Sequence, residues 1–215
     1  MPKRKLLLFL LSTTLFASFI YFSYLVAKNH FIKIDFDTTV RLQDHISRDW
    51  DLFFSLFSVL GLVEITGFIW ILLGLFLLIK RYFLACLSLI LLPLALALEV
   101  FGKVFVYHPA PPHLFYRGVL NVAFPSNFVH TDFSYPSGHL TRTSFLVLFL
   151  ITYFYLRSSY KKQFVIQPTL LGILFIMAIS RIYLGEHWTS DVVGGTLIGS
   201  SFGILSALFV PAKKD

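Results

Sequence analysis

One short stretch, Ser180-Arg181-Ile-Tyr-Leu-Gly-Glu-His187-Trp-Thr-Ser-Asp191, places a permanent cation, an imidazole and a carboxylate close together in a largely apolar chain. Ionisable side chains at membrane depth are costly and by default indicate a function. His187 and Asp191 are four residues apart, which would put them on one face if the segment is helical. A carboxylate bound to one imidazole nitrogen leaves the other nitrogen free to react. A helix end with a solvated ion pair fits the same residues, so both interpretations stay open here.

The composition predicts a membrane protein. The chain has 215 residues, of which 57% are hydrophobic and only 13% are charged, whereas soluble domains average about 25% charged residues. We therefore expect a single membrane-embedded domain over residues 1–215. The net charge of +7 does not indicate nucleic-acid binding, because the basic residues stand at the ends of apolar runs and form no stripe.

Six apolar stretches are long enough to span a bilayer, so the predicted fold is an all-α, six-transmembrane-helix bundle. The predicted spans are about 6–27, 52–79, 82–107, 136–156, 166–184 and 189–210. The second stretch exceeds the length of a span, so its first part is expected to be a short re-entrant or surface helix. The polar segment 28–51 is expected to hold a short interfacial helix, and 108–135 is a polar outer loop.

The basic residues predict an orientation. If the N-terminus is cytoplasmic, the inner side carries more than half of the 18 lysines and arginines, as the positive-inside rule expects. These are Lys3, Arg4, Lys5, Lys80, Arg81, Arg157, Lys161, Lys162, Lys213 and Lys214. Both termini are then cytoplasmic in an inner (plasma) membrane, and the 180–191 stretch faces outward.

Two further polar groups are expected at that outer face. Pro136-Ser137-Gly138-His139 stands where an apolar helix begins, and the free N–H groups of a helix start attract anions. A capped helix with an interfacial histidine fits these residues equally. Lys103 follows Glu99 by four residues, so it is either a phosphate-binding cation or a lysine paired with that carboxylate.

These residues resemble a family. Lys103, Pro136-Ser137-Gly138-His139 and Ser180-Arg181-x5-His187-x3-Asp191 are similar to the three signature motifs of the type 2 phosphatidic acid phosphatases. That superfamily of membrane lipid phosphatases also includes soluble vanadium haloperoxidases and bacterial acid phosphatases. The part of the chain that carries the motifs is about 100–195.

The resemblance implies a role for each motif residue. His187 would be the nucleophile that forms a phosphohistidine, Asp191 would orient it, and His139 would serve as acid and then as base. The phosphoryl oxygens would be bound without a metal or other cofactor. The implied phosphate-binding residues are Lys103, Ser137, Gly138 and Arg181.

One family position departs from the pattern. The first motif normally reads Lys-x6-Arg-Pro, but Ala110 occupies the arginine position here. We expect Arg142, one turn after His139, to replace that guanidinium in phosphate binding. Arg117 and His108 are alternatives, and a weaker phosphate clamp is another.

The expected substrate is a lipid phosphate or diphosphate, such as undecaprenyl diphosphate, phosphatidylglycerol phosphate or phosphatidic acid. A lipid phosphotransferase using the same phosphohistidine, or a non-catalytic phospholipid-binding relic, stay open as alternatives. The spacing of the residues that could suggest a metal site in the outer loop matches no metal motif. They are His108, His113, His130 and Asp132.

Overall fold

A computed structural model describes residues 3–120, 125, 131, 133–157 and 160–212. All regular secondary structure in these residues is helical, which confirms the predicted all-α class. The helices are α1 (Lys3–Ala27), α2 (Ile32–His45), α3 (Asp51–Leu60), α4 (Val63–Ile79), α5 (Phe83–Ser88), α6 (Leu91–Phe105), α7 (Gly138–Arg157), α8 (Tyr160–Tyr183) and α9 (Thr189–Ala207), with 3-10 turns at Arg48–Trp50 and His113–Phe115.

The candidate membrane spans number four or five in the described residues. Those long and apolar enough are Lys3–Ala27, Phe83–Phe105, Gly138–Arg157 and Gln163–Tyr183, and the pair α3–α4, bent by 47°, makes a fifth if it counts as one span. The protein is therefore a multi-pass helical membrane protein, but the predicted count of six is not confirmed. The predicted sixth span corresponds to α9, which does not meet the same test because glycines and serines dilute its apolar residues.

Two predicted spans are each built from two helices. The second divides at Gly61 and Leu62, where the chain turns from α3 into α4. Its first part is the separate short helix α3, which packs against α8. The third predicted span divides into α5 and α6 around Leu89 and Ile90.

Helix α9 lies at the centre of the bundle, packed between α1 and α7. Glycines let it approach α7 closely: a Cβ at Gly199 would lie 2.2 Å from the Thr141 carbonyl oxygen, and one at Gly203 would lie 2.4 Å from that of Phe145. Small residues at a helix interface give membrane helices this close packing.

On the opposite side of α9, α1 is attached by hydrogen bonds. Ser12 Oγ donates to the Ser201 carbonyl at 2.9 Å, and Lys5 Nζ donates to the Val210 carbonyl at 2.8 Å. Arg157, at the end of α7, reaches the Pro211 carbonyl at 3.2 Å. The start of α1 and the ends of α7 and α9 therefore meet at one end of the bundle.

Helix α2 packs at the other end, against α8 and α9. Its Gln43 Nε2 donates to the Tyr183 carbonyl at 2.8 Å, and its Asp35 accepts the Ser190 backbone N–H at 2.8 Å. The predicted short helix in segment 28–51 is present, with apolar Ile34 exposed and Asp35 buried.

Candidate active site

The residues predicted to form the site meet where four helix ends converge. Helices α6 and α8 end there, and α7 and α9 begin there. The eight predicted residues at this end are Lys103, Ser137, Gly138, His139, Arg142, Arg181, His187 and Asp191. It is the end opposite the start of α1.

His187 and Asp191 form a buried hydrogen-bonded pair. His187 Nδ1 lies 3.2 Å from Asp191 Oδ2, which also accepts the Trp188 backbone N–H at 3.0 Å. A turn through Gly185, at φ +67°, brings the His187 backbone N–H to the Arg181 carbonyl at 3.2 Å. Glycine adopts this φ without strain. Because an ionised carboxylate only accepts, Nδ1 carries the hydrogen and Nε2 keeps its lone pair.

The surroundings of His187 favour the neutral imidazole. Burial lowers the pKa of His187 well below its usual value, and the positive charges of Arg181 and Lys103 lower it further. The ring is therefore unprotonated at neutral pH. Its Nε2 then has the lone pair that a nucleophile requires.

His139 lies in the first turn of α7, close to the cations of the site. Its Nε2 is buried and has no hydrogen-bond partner among the described residues, and the charges of Arg181 and Arg142 act on the ring. Gly61, at the α3–α4 turn, packs on it so closely that a Cβ there would lie 2.5 Å from His139 Cδ2. Buried polar atoms without a partner are uncommon and need an explanation. A bound substrate oxygen would supply the missing partner.

Three cations share two carboxylates in this region. Lys103 Nζ lies 3.0 Å from Glu99 Oε1, and Arg142 lies 3.9 Å from Glu99 Oε2. Arg181 forms an ion pair with Glu186. Glu64 also acts electrostatically on Arg142, so it is the N–H donors of the three cations, rather than a net charge, that suit an anionic ligand.

Several polar atoms in the same group have no partner in the part of the chain that the structure describes. These buried atoms are Ser137 Oγ, Arg142 Nε and Arg181 Nε. A phosphoryl group would offer acceptor oxygens to these donors. The Ser137 backbone N–H already donates to the Asp191 carbonyl at 3.0 Å, so of that residue the hydroxyl is the group available to a ligand.

The structure bears on the replacement of the family arginine at Ala110. Arg142 Nη2 donates to the Gly61 carbonyl at 3.0 Å, which holds the Arg142 guanidinium beside His139. Arg117 Nη2 instead donates to the Gln43 carbonyl of α2 at 3.0 Å. This placement favours Arg142 over Arg117, and the role of Arg142 stays a prediction.

His108, another alternative near Ala110, lies against Asp191, with Nε2 3.4 Å from Oδ1. Two partners of His108, Asp35 and Ser190, were not identified from the sequence as site residues. Asp35 lies in the segment expected to be interfacial. A sequence feature that could have indicated a buried Asp35 is its spacing of four residues from Thr39. The two side chains lie on one face of α2, and the structure shows that both are buried.

The remaining residues of the histidine-rich loop give no metal site in the described part of the chain. His113 stacks on Tyr116 with ring centroids 5.6 Å apart, and His130 and Asp132 lie outside the described residues. No group of three histidine, cysteine, aspartate or glutamate side chains among the described residues could hold a metal ion.

The fold and site define a multi-pass helical membrane protein with a buried histidine–aspartate pair among cations. Residues 81–215 match the sequence model of the PAP2 superfamily, and the chain belongs to that family.

Two curated relatives match part of the chain. An undecaprenyl-diphosphatase of Sulfolobus acidocaldarius is 37% identical over 94 residues, which cover 38% of this chain and 40% of the relative. A phosphatidylglycerophosphatase B of Bacillus subtilis is 34% identical over 73 residues, which cover 32% and 35%. The chain thus spans less than half the length of these relatives.

Two solved structures are similar over most of the chain. A transmembrane PAP2-type phosphatidylglycerolphosphate phosphatase from Bacillus subtilis has a TM-score of 0.73 at 18% identity, covering 91% of this chain and 93% of that one. Aquifex aeolicus LpxE has a TM-score of 0.58 at 26% identity, covering 80% and 94%. At 18% identity, the first of these matches shows a similar fold and does not bear on activity.

Proposed function

We propose that the protein is an integral membrane phosphatase that removes phosphate from a lipid phosphate or diphosphate. The observation that carries this proposal is the pairing of His187 with Asp191 beside the partnerless His139 Nε2, within a group of cations. The relatives named above support lipid substrates of the undecaprenyl diphosphate or phosphatidylglycerol phosphate kind. Phosphatidic acid is a third substrate to test.

In the first chemical step, His187 Nε2 attacks the phosphorus and forms a P–N bond. The bond from phosphorus to the leaving oxygen breaks, and His139, which enters this step as the imidazolium, gives that oxygen a proton. The negative charge of the bound phosphate favours this protonated form of the ring. Asp191 stabilises the positive charge that develops on the His187 ring as the new bond forms. Lys103, Arg181 and Arg142 neutralise the phosphoryl oxygens as their charge shifts.

In the second step, water attacks the phosphohistidine. His139, deprotonated by the first step, takes a proton from that water. The P–N bond breaks, inorganic phosphate leaves, and His187 regains its lone pair. The histidines and cations therefore return to their starting states after each turnover.

The proposal includes six membrane spans, with α9 as the sixth and the site at the outer face. The basic residues Lys5, Lys80, Arg81 and Arg157 support this orientation, because cytoplasmic loops are enriched in such residues. Lys5 and Arg157 lie at the end of the bundle opposite the site. A lipid substrate would keep its tail in the outer leaflet while its phosphate reaches His187.

Phosphate release by the purified protein in detergent tests the proposal. The panel contains undecaprenyl diphosphate, phosphatidylglycerol phosphate and phosphatidic acid. We expect His187→Ala to abolish release, since it removes the proposed nucleophile. The wild-type protein should also form a phosphoenzyme that is acid-labile and base-stable, which is the behaviour of a phosphoramidate.

Other outcomes would favour the alternatives. Transfer of phosphate to an added lipid acceptor, without free phosphate, would identify a phosphotransferase. Binding of these lipids with no release from any of them would identify a non-catalytic phospholipid-binding protein. Release that persists in His187→Ala would contradict the proposed nucleophile.

A further inference from the structure

We propose that His108 and Asp35 act as positioning residues behind the nucleophile, with His108 donating a hydrogen bond toward Asp191 and Asp35 holding His108 in place through Ser190. This inference rests on the proposed phosphatase function and adds two residues to it. Asp35 lies outside the motifs on which the resemblance is based, and His108 stands at one of the unspecified positions of the first motif.

The four side chains of this layer are buried together. Asp35 Oδ1 accepts the Ser190 backbone N–H at 2.8 Å, and Asp35 Oδ2 accepts the Ser190 hydroxyl at 2.7 Å. His108 Nε2 lies 3.0 Å from Ser190 Oγ and 3.4 Å from Asp191 Oδ1. Asp35 and His108 are 2% and 5% exposed, so water does not compete for these contacts.

The hydrogen-bond directions follow from the partners. The single hydroxyl hydrogen of Ser190 is committed to Asp35 Oδ2, so Ser190 Oγ can only accept from His108. Asp191 Oδ1 is likewise an acceptor. His108 Nε2 therefore carries one hydrogen, which is shared between Ser190 Oγ at 3.0 Å and the more distant Asp191 Oδ1 at 3.4 Å. Asp35 determines this tautomer by orienting the serine.

Asp191 Oδ1 lies close to His108. The other oxygen, Oδ2, accepts from His187 and from the Trp188 backbone, and the Ser134 hydroxyl lies close enough to favour the ionised carboxylate. Oδ1 is buried and makes no fully formed hydrogen bond to the described residues. The 3.4 Å approach of His108 Nε2 therefore supplies a donor close to it. A buried carboxylate that lacks such a donor is costly to keep ionised.

Several charged or titratable groups of the described residues face Asp191. His187 comes from the loop before α9, His108 and Tyr135 from the outer connection, Lys103 from α6, and Asp35 from α2. Burial raises the pKa of Asp35 to about 6, while its hydrogen bonds from Ser190 oppose that rise. Burial lowers the pKa of His108, and the charge of Asp191 opposes that change.

Hydrogen bonds from Ser134 and from Trp188 hold the backbone around His108 in place. The Ser134 backbone N–H and hydroxyl both donate to the His108 carbonyl, at 3.0 and 3.1 Å. The Trp188 ring N–H donates to the Pro109 carbonyl at 2.8 Å. The segment before Ala110 is thus attached to the loop that carries His187, which suits a positioning role.

The test compares His108→Leu with His108→Gln in the wild-type background. Gln retains an N–H donor near the position of Nε2, whereas Leu removes it. We expect His108→Leu to lower kcat by roughly tenfold to a hundredfold, with KM within about threefold of wild type. His108→Gln should recover most of this loss, and His113→Leu, an exposed histidine in the same connection, should change neither constant.

The pH profile separates positioning from a structural role. Without the His108 donor, Asp191 is more readily protonated at acidic pH, so the acid limb of kcat/KM should move to higher pH in His108→Leu. An unshifted acid limb in an active, folded His108→Leu variant, or a Gln variant as impaired as Leu, would overturn the inference.

A second readout does not use a lipid substrate. The rate at which diethyl pyrocarbonate modifies His187, followed by mass spectrometry, reports the nucleophilicity of that ring. We expect a slower rate in His108→Leu than in His108→Gln at the same pH. Equal rates would overturn the inference even if no substrate is turned over, whereas wild-type protein without phosphatase activity would contradict the proposed function.

Discussion

At the residue scale, Glu99 contacts two of the cations that are proposed to bind phosphate. It holds Lys103 at 3.0 Å and lies 3.9 Å from Arg142, and it sits so close to Gly138 that a Cβ there would lie 2.3 Å from its Oε1. The simple interpretation of Glu99 as a partner of Lys103 is therefore correct but incomplete. One carboxylate fixes two cations at the start of α7.

Arg142 provides the first prediction at this scale. If it replaces the arginine missing at Ala110, Arg142→Ala should lower kcat/KM by about a hundredfold or more, as loss of a transition-state donor does. Arg142→Lys should recover part of the rate, since it keeps the charge but loses the planar fork. Steady-state phosphate release measures both variants.

A matched control for Arg142 is Arg117→Ala. Arg117 binds the Gln43 carbonyl at the end of α2, so this variant should keep kcat/KM within about threefold of wild type. Near-wild-type activity in Arg142→Ala, or a larger loss in the Arg117 variant, would reverse the assignment.

At the element scale, the turn between α3 and α4 reaches the site. The Gly61 carbonyl accepts from Arg142 at 3.0 Å, and Ser58 on α3 accepts from Arg181. The short helix expected from the excess length of the second apolar stretch therefore contacts both site arginines. Its part in the site was not predicted.

Gly61→Ala tests this contact. The added Cβ would lie 2.5 Å from His139 Cδ2 and 3.1 Å from Met177 Sδ, so the His139 ring must move. We expect kcat to fall by about tenfold, because small misplacements of a catalytic group are costly. Gly67→Ala, on α4 with nothing within 4 Å of its Cβ, should leave kcat unchanged and slightly stabilise the helix. Equal kcat values for the two variants would contradict a role for the turn.

The sequence predicted the local features of the site and missed the distant ones. Hydropathy identified the helices because each apolar stretch is continuous, and the spacing of His187 and Asp191 is local to one turn. Asp35 and Ser190 are 155 residues apart, and no periodic pattern records that contact. Hydropathy also does not locate the break at Gly61, because the residues on both sides of it are equally apolar.

At the scale of the whole molecule, the orientation of the bundle is testable. In a Cys86→Ser background, Leu114→Cys lies in the exposed connection at the site end, and Lys80→Cys lies at the opposite end of α4. A membrane-impermeant maleimide should label the first variant in intact cells and the second only after permeabilisation. The reverse pattern would place the site in the cytoplasm.

The packing of α9 has a consequence for biosynthesis. A segment enters the bilayer from the translocon according to its own apolarity, and α9, with Asp191 in its first turn and serines and glycines along its length, is poorly suited to do so alone. In the six-span arrangement its insertion would depend on α1 and α7, which cover it. The helix that begins two residues after His187 would thus depend more on earlier helices for its insertion than the other spans do.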